Sequence, residues 1–205
     1  MKRISALTTL TLFSLLSACA GPNPNPGERS ADVLWSRYKH QEALEIIRRN
    51  AEEGLPWAQL RLGVAYELGK GVEQNFAEAL KWYKRAAVQQ SEGLWADGIL
   101  IGALGTPGYF NQNGDAMIAQ YQIATIYLRG GSGVQKDLVE AYLWARYVLA
   151  KSAGKDLFYC CEFQGGRWIP QNKIVEAFDN IKSEMSNEQI QEAETLYENW
   201  APEVD

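Results

Sequence analysis

The sequence predicts an all-α fold: antiparallel helix pairs stacked into an α-solenoid and closed by a C-terminal capping pair. Three observations predict it. One helix–turn–helix pattern recurs along the 205-residue chain. Within each copy, small alanines and large aromatics fall at helical spacing. Beyond the last copy, helix-start signals occur without the repeat pattern.

In the first clear copy, helix A runs from Pro56 to Leu68. Pro56 suits a first helical turn, and Gly54 suits the end of the helix before it. Gly69-Lys70-Gly71 supplies a turn that tolerates positive φ. Helix B starts near Asn75, with Glu78 three residues on, as in a capping box. Ala58, Leu62 and Tyr66 share one face of helix A, and Ala79, Trp82 and Ala86 share one face of helix B. The alanines let helices approach closely, and the rings fill the space between pairs. In the second copy, Ala119-Gln120, Ile123, Tyr127 and Gly130 stand 61 residues after Ala58-Gln59, Leu62, Tyr66 and Gly69. Gly133-Val134, Ala141 and Trp144 stand 62 after Gly71-Val72, Ala79 and Trp82, so one extra residue sits in the Gly-rich turn. Asp137 and Glu140 repeat the helix start. A further match at an offset of 36 sets Glu42-Ala43-Leu44 against Glu78-Ala79-Leu80, making residues 31–50 the second helix of a degenerate leading repeat.

These residues resemble the Sel-one-like repeat (SLR), a relative of the tetratricopeptide repeat. The first copy matches the family pattern at Ala58-Gln59, Leu62-Gly63, Tyr66, Gly69, Gly71-Val72, Ala79, Trp82 and Ala86-Ala87, with Asn75 where the family prefers Asp. The second departs at Ala124, where the family has Gly, and at Val148-Leu149, where it has Ala-Ala. The resemblance implies a right-handed solenoid that works by binding protein, as a scaffold or adaptor.

The amino terminus reads as an address and an anchor. Lys2 and Arg3 precede an apolar run, Ile4 to Leu16, too short to span a bilayer and suited to a secretory signal. Leu16-Ser17-Ala18-Cys19 resembles the lipobox of bacterial lipoproteins, in which the cysteine becomes the acylated first residue, palmitate being one such acyl group. Several acyl chains make such anchoring stable where one does not. Alternating Pro and Asn after Ala20 favours an extended spacer. By the convention of such lipoproteins, Ala20 in place of Asp leans towards the outer membrane over the inner. Signal removal moves the formal charge from -5 to -7. An acidic chain lacks the basic footprint of a nucleic-acid binder.

The expected organisation is a signal at 1–18, a lipidated Cys19 and tether at 19–30, a repeat domain at 31–153, and a loop with capping helices at 154–205. Within the repeat domain the clear copies are 51–87 and 116–153. The stretch 88–115 departs from the pattern, because Gly102, Gly105, Pro107 and Gly108 interrupt it. It reads as a short helix near 92–103 and a loop at 105–114 carrying Tyr109 and Phe110, either a shortened repeat or an insertion. Inserted loops in repeat arrays often lie on the binding side. In the last part, helices are expected from Gln171 to Met185 and, opened by the Ser186-Asn187-Glu188-Gln189 capping box, to Trp200.

Chemistry finds little footing. The single histidine, His40, nearly removes histidine-based metal sites and disfavours a triad. No G-x-S-x-G, HExxH or phosphate-binding glycine loop occurs, and no cofactor or metal is expected. Cys160-Cys161 is the anomaly. Neighbouring Cα atoms stand about 3.8 Å apart, shorter than ordinary disulfides prefer. Buried thiols, a vicinal disulfide, and intermolecular or soft-metal pairing all stay open. Trp57, Trp95 and Trp168 lie outside the core pattern, as buried rings or as anchors for a partner.

The expected function is that of a membrane-anchored, periplasm-facing interaction scaffold. Residues between the core positions of each helix A should line the concave face: Arg61 and Val64, with Tyr121, Gln122 and Thr125 from the second copy. Tyr109, Phe110 and Trp168 complete the candidate partner-binding set. The partner is an envelope protein of unknown identity, and the oligomeric state is open. The alternatives are an envelope enzyme acting on peptidoglycan or β-lactams, and an immunity protein binding a periplasmic toxin. The first is disfavoured because cysteine-rich SLR proteins associated with β-lactams carry a Cys pair in each repeat, and these repeats carry none.

Overall fold

A computed structural model describes residues 26–89, 114–152, 154, 157–159 and 167–200. The described residues form eight helices and one short hairpin. The helices are α1 (Pro26–Ser36), α2 (His40–Glu52), α3 (Pro56–Leu68), α4 (Phe76–Ala87), α5 (Gly114–Arg129), α6 (Leu138–Ser152), α7 (Gln171–Glu184) and α8 (Asn187–Tyr197). Strands β1 (Leu157–Tyr159) and β2 (Arg167–Ile169) pair antiparallel between α6 and α7.

Each helix packs on its neighbour in sequence across the repeats, α1 on α2, α2 on α3, α3 on α4, α4 on α5 and α5 on α6. The first helices of successive pairs also meet, since α3 packs on α5. Among the described residues, the helix that packs next on α4 is α5. The expected short helix and the loop with Tyr109 and Phe110 lie outside the described residues, as do Trp95, Cys19, Cys160 and Cys161.

Helix α3 forms at the expected bounds. Pro56 opens it, and Gly69 closes it in the left-handed region at φ 65°. The Asn75 side chain caps α4 by accepting from the Glu78 amide at 3.1 Å. Asp137 does the same for α6, accepting from the amides of Val139 and Glu140 at 3.0 Å. The extra residue of the second turn is absorbed locally. The Asn75 amide donates to the Tyr66 carbonyl at 2.9 Å, and the Asp137 amide donates to the Tyr127 carbonyl at the same distance. Both turns thus close on equivalent residues despite unequal length. Gly131 and Val134 form an isolated bridge inside the longer one.

One core runs through the stack, from Ala31 and Trp35 of α1 to Ile174 and Ile181 of α7 and Ala193 of α8. The repeat positions Ala58, Leu62, Ala79, Trp82, Ala86, Ala119, Ile123, Ala141 and Trp144 are all buried in it. Burying one Leu- or Ile-sized side chain contributes roughly 1.5–3 kcal/mol, so this stripe is the main stabilising element. Helix α8 buries only Ala193 and carries both arms of the Ser186–Gln189 capping box, as a polar-faced solenoid end requires.

Two features differ from the expectation. The leading pair is complete, because α1 begins at Pro26, inside the stretch read as tether. Proline is suited to a first turn, and Ala31 and Trp35, four apart, bury against α2 and the core. The Pro/Asn composition just before it masked this start. The hairpin is the second addition. Leu157 pairs with Ile169, and both are buried. Phe158 pairs with Trp168, which places the backbone of Trp168 in β2. No described helix is long and apolar enough to cross a membrane.

Candidate protein-binding face

The inner seam is built by the first helix of each pair: α1, α3 and α5. Arg61 stands at its centre. Its guanidinium reaches Glu28 Oε1 at 3.0 Å and Asp32 Oδ1 at 3.0 Å, both on α1. It also lies over the Trp57 ring, 5.0 Å from its centroid. Only 1% of the Arg61 side chain is exposed. Val64 and Trp57 are likewise buried. The two α3 residues expected to line an open concave face, Arg61 and Val64, thus lie inside the packed stack. The reason is α1, whose acids close over the guanidinium. Those partners lie 33 and 29 residues away in sequence, and no local pattern announces them.

Asp115, in the first turn of α5, joins this cluster. Burial, reinforced by the Glu28 carboxylate, pushes its acid up to about 7 in spite of Arg61. Glu28 is also raised, by burial first and by Asp32, against the pull of Arg61.

The α3–α5 contact is tied further along by Glu67. Its Oε2 accepts from the Tyr83 hydroxyl at 2.6 Å and from Gln122 Nε2 at 3.1 Å. Its Oε1 accepts from Arg129 Nη2 at 3.0 Å. Arg129 in turn lies over the Phe76 ring, 5.6 Å from its centroid. Gln122, expected as a partner contact, is thus a buried member of an inter-repeat network. The sequence reading missed Glu67, which looks like any surface helix acid until α5 is laid against it.

Tyr121 and Thr125 remain part-exposed on α5. The Thr125 hydroxyl donates to the Gln122 carbonyl at 2.9 Å, one turn back. Lys173 of α7 lies near Tyr121 electrostatically, its ammonium raised chiefly by a 2.6 Å bond to Glu176. Of the sequence-derived set, Tyr121 and Thr125 are the residues the structure leaves part-exposed together. His40 is the first residue of α2, with its ring 4.4 Å from that of Trp35, a packing role. Among the described residues no group of three or more His, Cys, Asp or Glu side chains is placed to hold a metal ion.

Comparison with known proteins places these elements. Residues 58–90 and 118–147 match the Sel1 repeat family. The first match covers most of α3 and all of α4; the second covers most of α5 and the first part of α6. Sel1 repeats generally mediate protein–protein interaction. The chain is 50% identical over 46 residues to a chitin synthase regulator, SKT5, of Saccharomyces cerevisiae, a match over 22% of this chain and 7% of that protein. It is 28% identical over 121 residues to an ERAD-associated E3 ubiquitin-protein ligase component, HRD3B, of Arabidopsis thaliana, covering 56% of this chain and 20% of that one. It is 30% identical over 82 residues to the DAP3-binding cell death enhancer 1 of Rattus norvegicus, covering 38% and 16%. The chain therefore spans only a small part of each relative. In fold, it is similar to a protective antigen of uropathogenic Escherichia coli strains whose crystal structure displays an SLR fold. The TM-score is 0.54 at 24% identity, over 83% of this chain and 29% of that one. The described residues form an α-solenoid of SLR-like fold, with its two regular helix pairs at the two segments that match the Sel1 repeat family.

Proposed function

We propose that this protein is a lipid-anchored scaffold of a bacterial envelope, held through Cys19 at the periplasmic face of the outer membrane and working by binding another envelope protein. The observation that carries the binding reading is the preformed stack. Two Sel1 helix pairs, joined through Glu67, present Tyr121 and Thr125 on a helix whose other inner residues are locked in place. A rigid surface of this kind binds without a large ordering cost. The Cys19 lipobox and the Pro/Asn stretch behind it support the anchor. Tyr109, Phe110 and Trp168 are the aromatic side chains proposed to complete the surface. No catalytic step is required.

The test uses the full chain in its native envelope. A photo-crosslinking side chain at Tyr121 should capture one discrete protein, and the same probe at exposed Glu192 on α8 should not. Cys19→Ser should move the chain from the membrane fraction to the soluble one. Equal capture from both probe positions would overturn the binding face, and membrane retention of the serine variant would overturn the anchor.

A further inference from the structure

The helices α1, α3 and α5 all end on the same edge of the stack. Gln41 Nε2 donates to the Gly71 carbonyl at 2.8 Å, and the Ser132 hydroxyl donates to the Gln74 carbonyl at 3.3 Å, so the turns that follow these helices lie side by side. Each helix closes on a residue in the left-handed region: Gly69 at φ 65° after α3, Gly130 at φ 67° after α5, and Tyr38 at φ 60° beyond α1. At Tyr38 the closure is a Schellman motif. The Tyr38 amide donates to the Trp35 carbonyl and the Lys39 amide to the Leu34 carbonyl, both at 3.0 Å. Glycine is the ordinary residue at that place, because a Cβ is strained there, and a bulky tyrosine is an outlier. Burial does not offset the strain. The ring approaches the His40 ring edge-on, with 6.0 Å between centroids, yet it is 85% exposed. Strain that packing leaves uncompensated points to a use outside the fold.

The surroundings of Tyr38 fit a lipid surface. Leu68 ends α3 on the same edge and is 40% exposed. Arg37, Lys39 and Lys70 are exposed in the two turns. Lys39 pairs with Glu42 at 2.9 Å, and Glu73 is the other exposed acid there. Bases thus outnumber acids on this edge of an acidic chain, and anionic headgroups do not repel it. An amphipathic ring with an apolar neighbour and basic flanks is the chemistry of a bilayer interface. Reach allows the contact as well. The seven Cα–Cα steps from Cys19 to Pro26 extend to about 25 Å, more than the length of α1, about 16 Å. Helix α1 can therefore lie along the membrane and set its far end on it.

We propose that the α1–α2 turn is a second membrane contact, in which the Tyr38 ring seats among the headgroups of an anionic bilayer, with Leu68 beside it and Arg37 and Lys70 on the phosphates. The inference rests on the Cys19 anchor proposed above, which brings the turn to the surface. The acyl chains supply the affinity, and the turn fixes which way the stack faces.

The test uses the full chain, purified from its envelope and reconstituted into vesicles of phosphatidylethanolamine and phosphatidylglycerol. A photo-crosslinking side chain in place of Tyr38 should form a phospholipid adduct, about tenfold more than the same probe at exposed Leu196 on α8. With the probe at Leu68, Tyr38→Gly should cut the lipid adduct several-fold. Its denaturation midpoint should stay at or above that of the natural chain, since glycine relieves the turn. Equal lipid adduct at the two probe positions, or an adduct with a second copy of the chain in place of lipid, overturns the proposal. So does an unchanged Leu68 adduct in Tyr38→Gly, or a lowered midpoint, which would make the ring a structural element. Membrane fractionation of Cys19→Ser reads the anchor separately. An anchored chain without lipid adduct at Tyr38 overturns the turn contact alone. A lipid adduct in a chain whose Cys19→Ser variant stays on the membrane overturns the anchor alone.

Discussion

A glycine and a ring show how single residues set the spacing of this stack. A Cβ on Gly63 would stand 2.5 Å from Tyr83 Cδ1 and 2.6 Å from its Cε1. Helices α3 and α4 approach until the ring lies where a methyl group would be. Gly63→Ala should therefore destabilise the chain by about 1–3 kcal/mol, an overpacking cost, read as a lower denaturation midpoint with an unchanged slope. The second repeat carries Ala124 at this place, one of its departures from the family pattern. Its counterpart of Tyr83 is Ala145, which has no ring. The departure at Ala124 is thus matched by a smaller residue on the facing helix. The sequence contained both substitutions, but only the geometry of α3 against α4 shows that they belong together. The same limit applies to Arg61. Its helix and its place between core positions were legible, but its burial depended on Glu28, in the stretch that reads as spacer, and on Asp32, at the edge of the leading repeat.

At the level of the element, the sequence was most informative where capping chemistry was explicit. The starts of α4 and α6 and the Ser186 box of α8 follow from side chains that accept from free helical amides, and the bounds of α3 follow from Pro56 in its first turn and the left-handed Gly69 at its end. Asn75→Ala should cost about 1 kcal/mol, and Asp137→Ala, whose carboxylate accepts from two amides, at least as much. Thermal unfolding of the two variants checks this, and no loss in either would detach the caps from stability. The hairpin was not legible in the same way. Three residues a side are too few for alternation to register, and Leu-Phe-Tyr and Arg-Trp-Ile around a Gly-Gly pair were the only signal. Its buried Leu157 and Ile169 join the core beside α5.

For the whole molecule, the question is how firmly one repeat is coupled to the next. Glu67 answers part of it, since it joins α3, α4 and α5 through three side chains. Glu67→Ala removes an acceptor of the buried Tyr83 hydroxyl and of the Gln122 amide, and should cost about 2 kcal/mol. A double-mutant cycle of Glu67→Ala with Gln122→Ala should show coupling of about 0.5–2 kcal/mol. The cycle with Arg129→Ala should show less, because the Arg129 side chain is 54% exposed and its ion pair is screened. Additive behaviour in the first cycle would mean that the Glu67–Gln122 bond does not couple the two repeats.

The early start of α1 also fixes a leash. Six residues separate Cys19 from Pro26. Covalent geometry lets the seven Cα–Cα steps from Cys19 to Pro26 reach about 25 Å at full extension, roughly two helix diameters. With the acyl chains proposed for Cys19 seated in a bilayer, the first repeat can never stand further from the headgroups than that. A partner would have to come to the membrane surface to meet it, and a partner with a bulky domain on its membrane side would be turned away by clearance alone, whatever its affinity in solution.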